Sequence, residues 1–300
     1  MTERIPISEA DKQKSYYKYY LRDMTLMPKE AYDAITEDKV KPMDEALTVY
    51  DRNLMLEPEK LAYVTGHAVD ADYSATLANY VFFPGATIEM CDWWFLWHSL
   101  DHMRYRIWDP EDHYFALNQN RARALDMSIP MRERNWGCTH FADENIFSGS
   151  PYEPQKPLPD FEDRTLKEKS ASFGVPCSGV QDPIALDFVS PASYGFDTKK
   201  LYDEIGGTII CANGRSYLPG KLGVATVMCH FFRPAEGGVE LFSRFWGGYQ
   251  IINGEVIRAA PQDEDTSSFI AMKLLQHNIK EFNHLATFLP EIYAEEKDNW

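Results

Sequence analysis

The sequence predicts an α+β fold: an antiparallel sheet packed on one long C-terminal helix, preceded by a small N-terminal helical segment. Three observations predict it. From Lys221 onward, apolar runs of strand length are separated by short Gly-containing turns. A 3.6-residue periodicity then runs from about Thr266 to Phe288, just before Pro290. Strands grouped ahead of a helix, rather than alternating with helices, point away from a parallel sheet.

Taken in order, residues 1–73 read as a small, mostly helical, polar domain. Ser8 to Leu21 and Met43 to Met55 carry loose apolar spacing, punctuated by Pro28 and Pro42. Residues 74–300 form the second unit. Ser74 to Phe83 alternates and reads as a strand ending at Pro84-Gly85. Ile88 to Arg106 holds Trp93, Trp94, Leu96, Trp97, Leu100, Met103 and Tyr105, a helix apolar almost all round and therefore buried. Asp109-Pro110 closes it. The stretch at about 148–191 holds seven of the 18 prolines and reads as a long surface excursion without regular structure, of the kind that forms a lid. Strands follow at Leu222 to Phe232, Val239 to Trp246 and Tyr249 to Ile257, the last split by Asn253-Gly254, a type I′ hairpin signal. Together they predict a meander. Thr266 or Ser267 caps the final helix, and a curved sheet wrapped on that helix encloses a cavity.

Composition narrows the function. The 300 residues suit two domains, and 44% hydrophobic with 25% charged residues is ordinary for a globular chain. A formal net charge of −16 repels a phosphate backbone, so no nucleic-acid partner is expected. No apolar run reaches spanning length: Met90 to Leu100 is short and broken by Asp92 and His98. The charged N-terminus has no apolar leader core. Cys91, Cys138, Cys177, Cys211 and Cys229 are odd in number with no CxxC spacing, which fits buried thiols in a reducing cytoplasm. The Gly-x-Ser-x-Gly, P-loop and dinucleotide fingerprints are absent. If the chain hydrolyses anything, the expected nucleophile is a metal-activated water.

The final helix carries the most chemical information. Met272, Leu275, Ile279 and Phe282 share one face; Ile270, Leu274, His277, Glu281, His284 and Phe288 share roughly the opposite one. A helix apolar on two sides is buried on both, where His277 and Glu281 are costly unless satisfied. Spaced four apart, they can grip one metal ion, although such a pair is more often an ion pair or a solvated stripe. Other candidate ligands are His98 and His102, also four apart, His113 after Asp109-Pro110-Glu111-Asp112, and the Cys, His, Asp and Glu residues of Asn135 to Asn145. Glu281 and His284 form a single ExxH, too few for a di-iron bundle.

The runs Trp93 to His98 and Arg104 to His113, then His230 to Tyr249 with Ser243-Arg244-Phe245-Trp246, and then His277 to Glu281, resemble in this order the 2,4-diacetylphloroglucinol hydrolase family, which includes phloretin hydrolases. The resemblance covers roughly Ser74 to Leu289 apart from the Pro-rich insert. It implies a helix-grip, Bet v 1-like fold with a small N-terminal domain, one zinc ion per chain, a small aromatic-ketone substrate and often a homodimer. By the same resemblance the zinc ligands fall on His113, Glu144, His277 and Glu281. A pocket tyrosine falls on Tyr105, and a strand histidine handling protons falls on His230. The second pocket tyrosine falls on Tyr249, with Phe245 as its register rival. An asparagine of the family pattern, three residues after His113, is Ala116 here. The activity implied is hydrolysis of the bond between a phloroglucinol-type ring and an acyl carbonyl. A non-catalytic helix-grip protein holding apolar aromatic ligands, and a metallohydrolase of another ketone or ester, are the competing expectations.

Overall fold

The computed structural model describes residues 4–36, 40–146, 149–150, 152, 182–216, 225–259 and 264–300. Eight strands form one antiparallel sheet: β1 Gly66–Val69, β2 Ala75–Pro84, β3 His113–Asn118, β4 Thr139–Glu144, β5 Asp182–Val189, β6 Thr208–Ser216, β7 Ala225–Ala235 and β8 Gly238–Gly247. Their order across the sheet is β1-β2-β8-β7-β6-β5-β4-β3. The helices are α1 Tyr17–Tyr20, α2 Lys29–Thr36, α3 Ile88–Trp97, α4 His102–Arg106, α5 Arg121–Ala124, α6 Glu264–Ala286 and α7 Leu289–Glu296.

Both faces of the sheet are covered, which is why its central strands read as nearly continuous apolar runs. Along β6, β7 and β8, Ile210, Ala212, Met228, Leu241 and Phe245 join one core with Trp93, Trp94 and Trp97 of α3 and Leu275, Ile279 and Phe282 of α6. Their alternates Ile209, Cys211, Val227, Cys229, Phe242 and Trp246 face a second core with Leu47, Val49, Met55 and Leu56. The N-terminal chain therefore contributes to both layers, since Tyr16, Tyr19, Tyr20 and Met27 pack in the first. Four cysteines, Cys91, Cys138, Cys211 and Cys229, are free and buried as expected. Cys177 and most of the Pro-rich insert lie outside the described residues.

The elements differ from expectation in five places. The Trp-rich helix is broken: α3 gives way to a 3-10 turn at His98–Leu100, and α4 starts anew after Asp101. Asp101 adopts an extended backbone and its carboxylate accepts from the Met103 amide, a cap that ends one helix and starts the next. The meander stops at β8. Gly248, at φ 87°, turns the chain out into a separate hairpin, β9 Tyr249–Ile252 with β10 Glu255–Arg258, closed by Asn253 and Gly254 at φ 52° and 82°. The C-terminal end of the Pro-rich stretch is strand β5, with Pro183 next to its first residue. Helix α6 begins at Glu264 rather than at Thr266 or Ser267, and the Ser267 hydroxyl donates to the Tyr73 carbonyl (2.6 Å). Pro290 does not merely end a helix. It sits in the first turn of α7, where its missing N–H costs nothing.

One irregularity positions the site. β3 and β4 pair His113 with Glu144 but Phe115 with Asp143, so Tyr114 is an extra residue in β3. Strict alternation would send His113 to the opposite face from Ala116 and Asn118. The bulge resets the phase, and His113, Ala116 and Asn118 are all buried beside Glu144, Ala142 and His140.

Candidate metal centre

Helix α6 lies along β1 and β2 and shows its other side to a cavity. Ile270, Leu274, His277 and Glu281 line that cavity from the helix; Ala116, His140, Ala142 and Glu144 line it from β3 and β4. Phe95, Phe188, Met228 and Phe245 make much of the remaining wall apolar. The space amounts to about 1020 Å³, including its opening to solvent.

Four groups meet at one end. His113 Nε2 lies 3.3 Å from His277 Nε2, 3.5 Å from Glu281 Oε2 and 3.8 Å from Glu144 Oε2. All four residues are buried. His113, His277 and Glu281 each offer a ligand atom within 4.8 Å of the others. The spacing-based pair on α6 thus faces His113 and Glu144.

The surroundings orient each group. His113 Nδ1 lies 3.2 Å from the Tyr105 carbonyl, which can only accept, so that nitrogen carries the proton and Nε2 turns a lone pair to the cluster. The Tyr105 ring stacks on His113, centroids 3.9 Å apart, and its hydroxyl donates to Glu144 Oε2. Asn79 of β2 donates to Asn278 Oδ1 (2.9 Å), and Asn278 donates to Glu281 Oε1 (3.0 Å), leaving Oε2 toward His113. Trp108 Nε1 donates to the Glu281 carbonyl (2.9 Å).

A buried ion cluster holds the turn before His113. Lys280 Nζ reaches Asp109 (3.1 Å), Glu111 (3.0 Å) and Asp112 (2.5 Å). Burial alone would lower the ammonium pKa; the charges of Asp109, Asp112 and Glu111 outweigh it and hold it above its ordinary value. Asp109, Asp112 and His277 also come together as candidate ligands, but Lys280 already supplies a cation to the two aspartates.

The electrostatics favour a cation at the four-residue cluster. Burial, followed by the charge of Glu144, pushes the Glu281 carboxyl well above the carboxylate range. Burial likewise lowers His113 and His277. Two neutral imidazoles and two crowded carboxyls are a poor way to fill an apolar cavity and a good donor set for a divalent ion. His277 Nδ1 is buried and meets no hydrogen-bond partner among the described residues, so the ring is held by packing and by what its Nε2 contacts.

Other sequence candidates take different places. His230 and Tyr105 line the same cavity. His230 Nδ1 meets Ser243 Oγ at 2.9 Å, and burial holds its pKa down at about 3. Tyr249 stands outside, its hydroxyl 3.3 Å from Ser74 Oγ, because Gly248 has already turned the chain away; Phe245 lines the cavity. His98 and His102 do not converge, since the break at Asp101 separates them: His98 binds the Trp94 carbonyl and His102 the Ala116 carbonyl. His284 meets Thr25 at 3.3 Å rather than a cluster residue. Sequence reasoning missed the roles of Asn79 and Asn278, which left no signal beyond a polar residue in an apolar run. It also missed Lys280, whose only signal was a lysine on a helix expected to be buried.

The family model for the DAPG hydrolase PhiG domain matches residues 47–152 and 176–294. The chain is 34% identical over 300 residues to phloretin hydrolase of Eubacterium ramulus, covering 99% of this chain and 96% of the relative. It is 28% identical over 303 residues to 2,4-diacetylphloroglucinol hydrolase of a Pseudomonas species, covering 95% and 90%. The corresponding enzyme of Pseudomonas protegens is also 28% identical, with 95% and 86% covered.

Proposed function

The chain belongs to the DAPG hydrolase PhiG domain family, and from that premise we propose that it is a zinc-dependent hydrolase cutting the bond between a phloroglucinol-type ring and an acyl carbonyl. The observation that carries the reading is two imidazole nitrogens 3.3 Å apart facing two carboxylates in an otherwise largely apolar cavity. His113, Glu144, His277 and Glu281 would hold the ion. When bound, such an ion polarises a carbonyl and acidifies a water.

The chain's own residues do the rest. Apolar walls from Phe95, Phe188 and Phe245 seat the aromatic ring and exclude bulk water. Burial, then the charge of Glu144, raises the Tyr105 pKa well above its ordinary value, so the phenol stays protonated; with its proton hydrogen-bonded to Glu144, its oxygen can accept from a substrate ring hydroxyl. We assign proton transfer to His230: Ser243 engages Nδ1, so Nε2 is the nitrogen left to exchange a proton with the substrate ring carbon or with water. Protonation of the ring carbon gives its keto form. Water oxygen adds to the acyl carbonyl carbon, the C–C bond breaks with its electron pair moving to the ring, and a carboxylic acid and the free phloroglucinol leave. Membership and the sheet-and-helix cavity also support a helix-grip arrangement.

Metal analysis with turnover of phloretin and 2,4-diacetylphloroglucinol tests this. The expected result is about one zinc per chain and release of phloroglucinol-type product, with His277→Ala losing metal and activity while keeping its circular dichroism. No stoichiometric metal together with full stability in chelator, or tight binding without turnover, overturns it.

A further inference from the structure

The inward face of β4 presents Glu144, Ala142 and His140 in succession, with the smooth side of β3 contributing Ala116 opposite Ala142. The floor of the cavity is therefore polar, then apolar, then polar. His140 lies four residues from Glu144, about 13 Å along the strand. It is buried, lines the cavity and packs against Phe188 with ring centroids 4.2 Å apart and ring planes tilted by 43°. Its Nε2 is buried with no hydrogen-bond partner among the described residues. The nearest other imidazole, His98, is edge-on at 6.4 Å between centroids and has its own Nδ1 on the Trp94 carbonyl. A histidine whose ring nitrogen goes unsatisfied is a poor choice for this position if packing were its only task, because an unpaired buried polar atom is costly where Leu or Phe would be free of that cost.

We propose that His140 is a specificity-determining residue that hydrogen-bonds a hydroxyl at the far end of the substrate's acyl chain. The substrate class this fits has a polyhydroxylated ring and carbonyl at the metal cluster, a short aliphatic link over Ala116 and Ala142, and a phenol at His140. The assignment rests on the hydrolase reading above.

Three substrates separate the two ideas: phloretin, whose propanoyl chain ends in a phenol; its analogue ending in a plain phenyl; and 2,4-diacetylphloroglucinol. The expected kcat/KM ratio of phloretin to the phenyl analogue in the wild type is roughly 10- to 100-fold. In His140→Phe the ratio falls to near one, and in His140→Asn, which keeps a hydrogen-bonding side chain, part of it returns. A wild-type ratio near one, or a ratio that survives in His140→Phe, overturns the assignment and leaves the hydrolase reading standing. The wild-type ratio needs no variant, so a misfolded substitution does not shield the idea. Absence of turnover on all three substrates removes the hydrolase reading and this one with it.

Discussion

Glu281 shows how much of the site depends on single side chains that touch no substrate. Its Oε1 is held by Asn278, which is held in turn by Asn79 of β2, a relay linking the sheet to the helix at a fixed distance. Both asparagines are fully buried, so neither has water to fall back on. Asn278→Ala frees Glu281 to rotate and leaves Asn79 short of an acceptor. The expected outcome is a 10- to 100-fold weaker metal affinity, read by competition with a chelator, in line with roughly that loss when ligand-orienting partners are removed. Such a residue is illegible in sequence: an asparagine within a helix has no periodicity, and its partner lies 199 positions away. The His277–Glu281 pair was legible only as a candidate, because spacing says that two side chains point the same way and not what they meet.

At the scale of elements, legibility followed local chemistry. β2, the Asn253-Gly254 turn and α6 could be read because alternation, turn residues and helical periodicity are written in neighbouring positions. β3, β4 and β5 could not: β3 carries a bulge that spoils alternation, and β5 begins beside a proline. The break in the Trp-rich helix was hidden because burial of most of its residues overrides any amphipathic pattern, leaving only Asp101 as a marker. The turn between α4 and β3 is the element most exposed to a single substitution. Lys280 balances Asp109, Glu111 and Asp112 in a dry setting. Replacing Lys280 by Met leaves buried carboxylates unpaired, and the expected loss is about 3–5 kcal/mol by denaturant titration. An equal loss in Lys280→Arg would show that shape, not charge, is what the turn requires.

For the whole molecule, the distinctive feature is the number of buried imidazoles. Burial lowers His98 to about 4, His230 to about 3 and His284 to about 4, with Lys280, Arg22 and Arg4 adding to the last. In each case the unfolded chain binds a proton near pH 6.5 that the folded chain refuses. Their contribution is therefore complete above about pH 6.5 and is lost as the pH falls toward 4. His284 is a clean probe, since its ring hydrogen-bonds only Thr25 among the described residues, through Nδ1, and its Nε2 has no partner there. His284→Leu is expected to lose less of its melting temperature than the wild type between pH 7 and pH 5. Parallel losses in the two proteins would refute the assignment. Among the described residues no helix is long and apolar enough to cross a membrane.

The extra residue at Tyr114 makes His113 sensitive to chain length in an all-or-none way. A strand counts in twos, and here the count is deliberately one out of step. Deleting Tyr114 alone would leave His113 and Ala116 two apart, matching the two steps from Glu144 to Ala142, so the imidazole keeps its side and only the local kink disappears. Deleting two residues would leave one step against two and throw the imidazole to the wrong side. Relatives shorter by one here should therefore keep the histidine's partners, and relatives shorter by two should lose them.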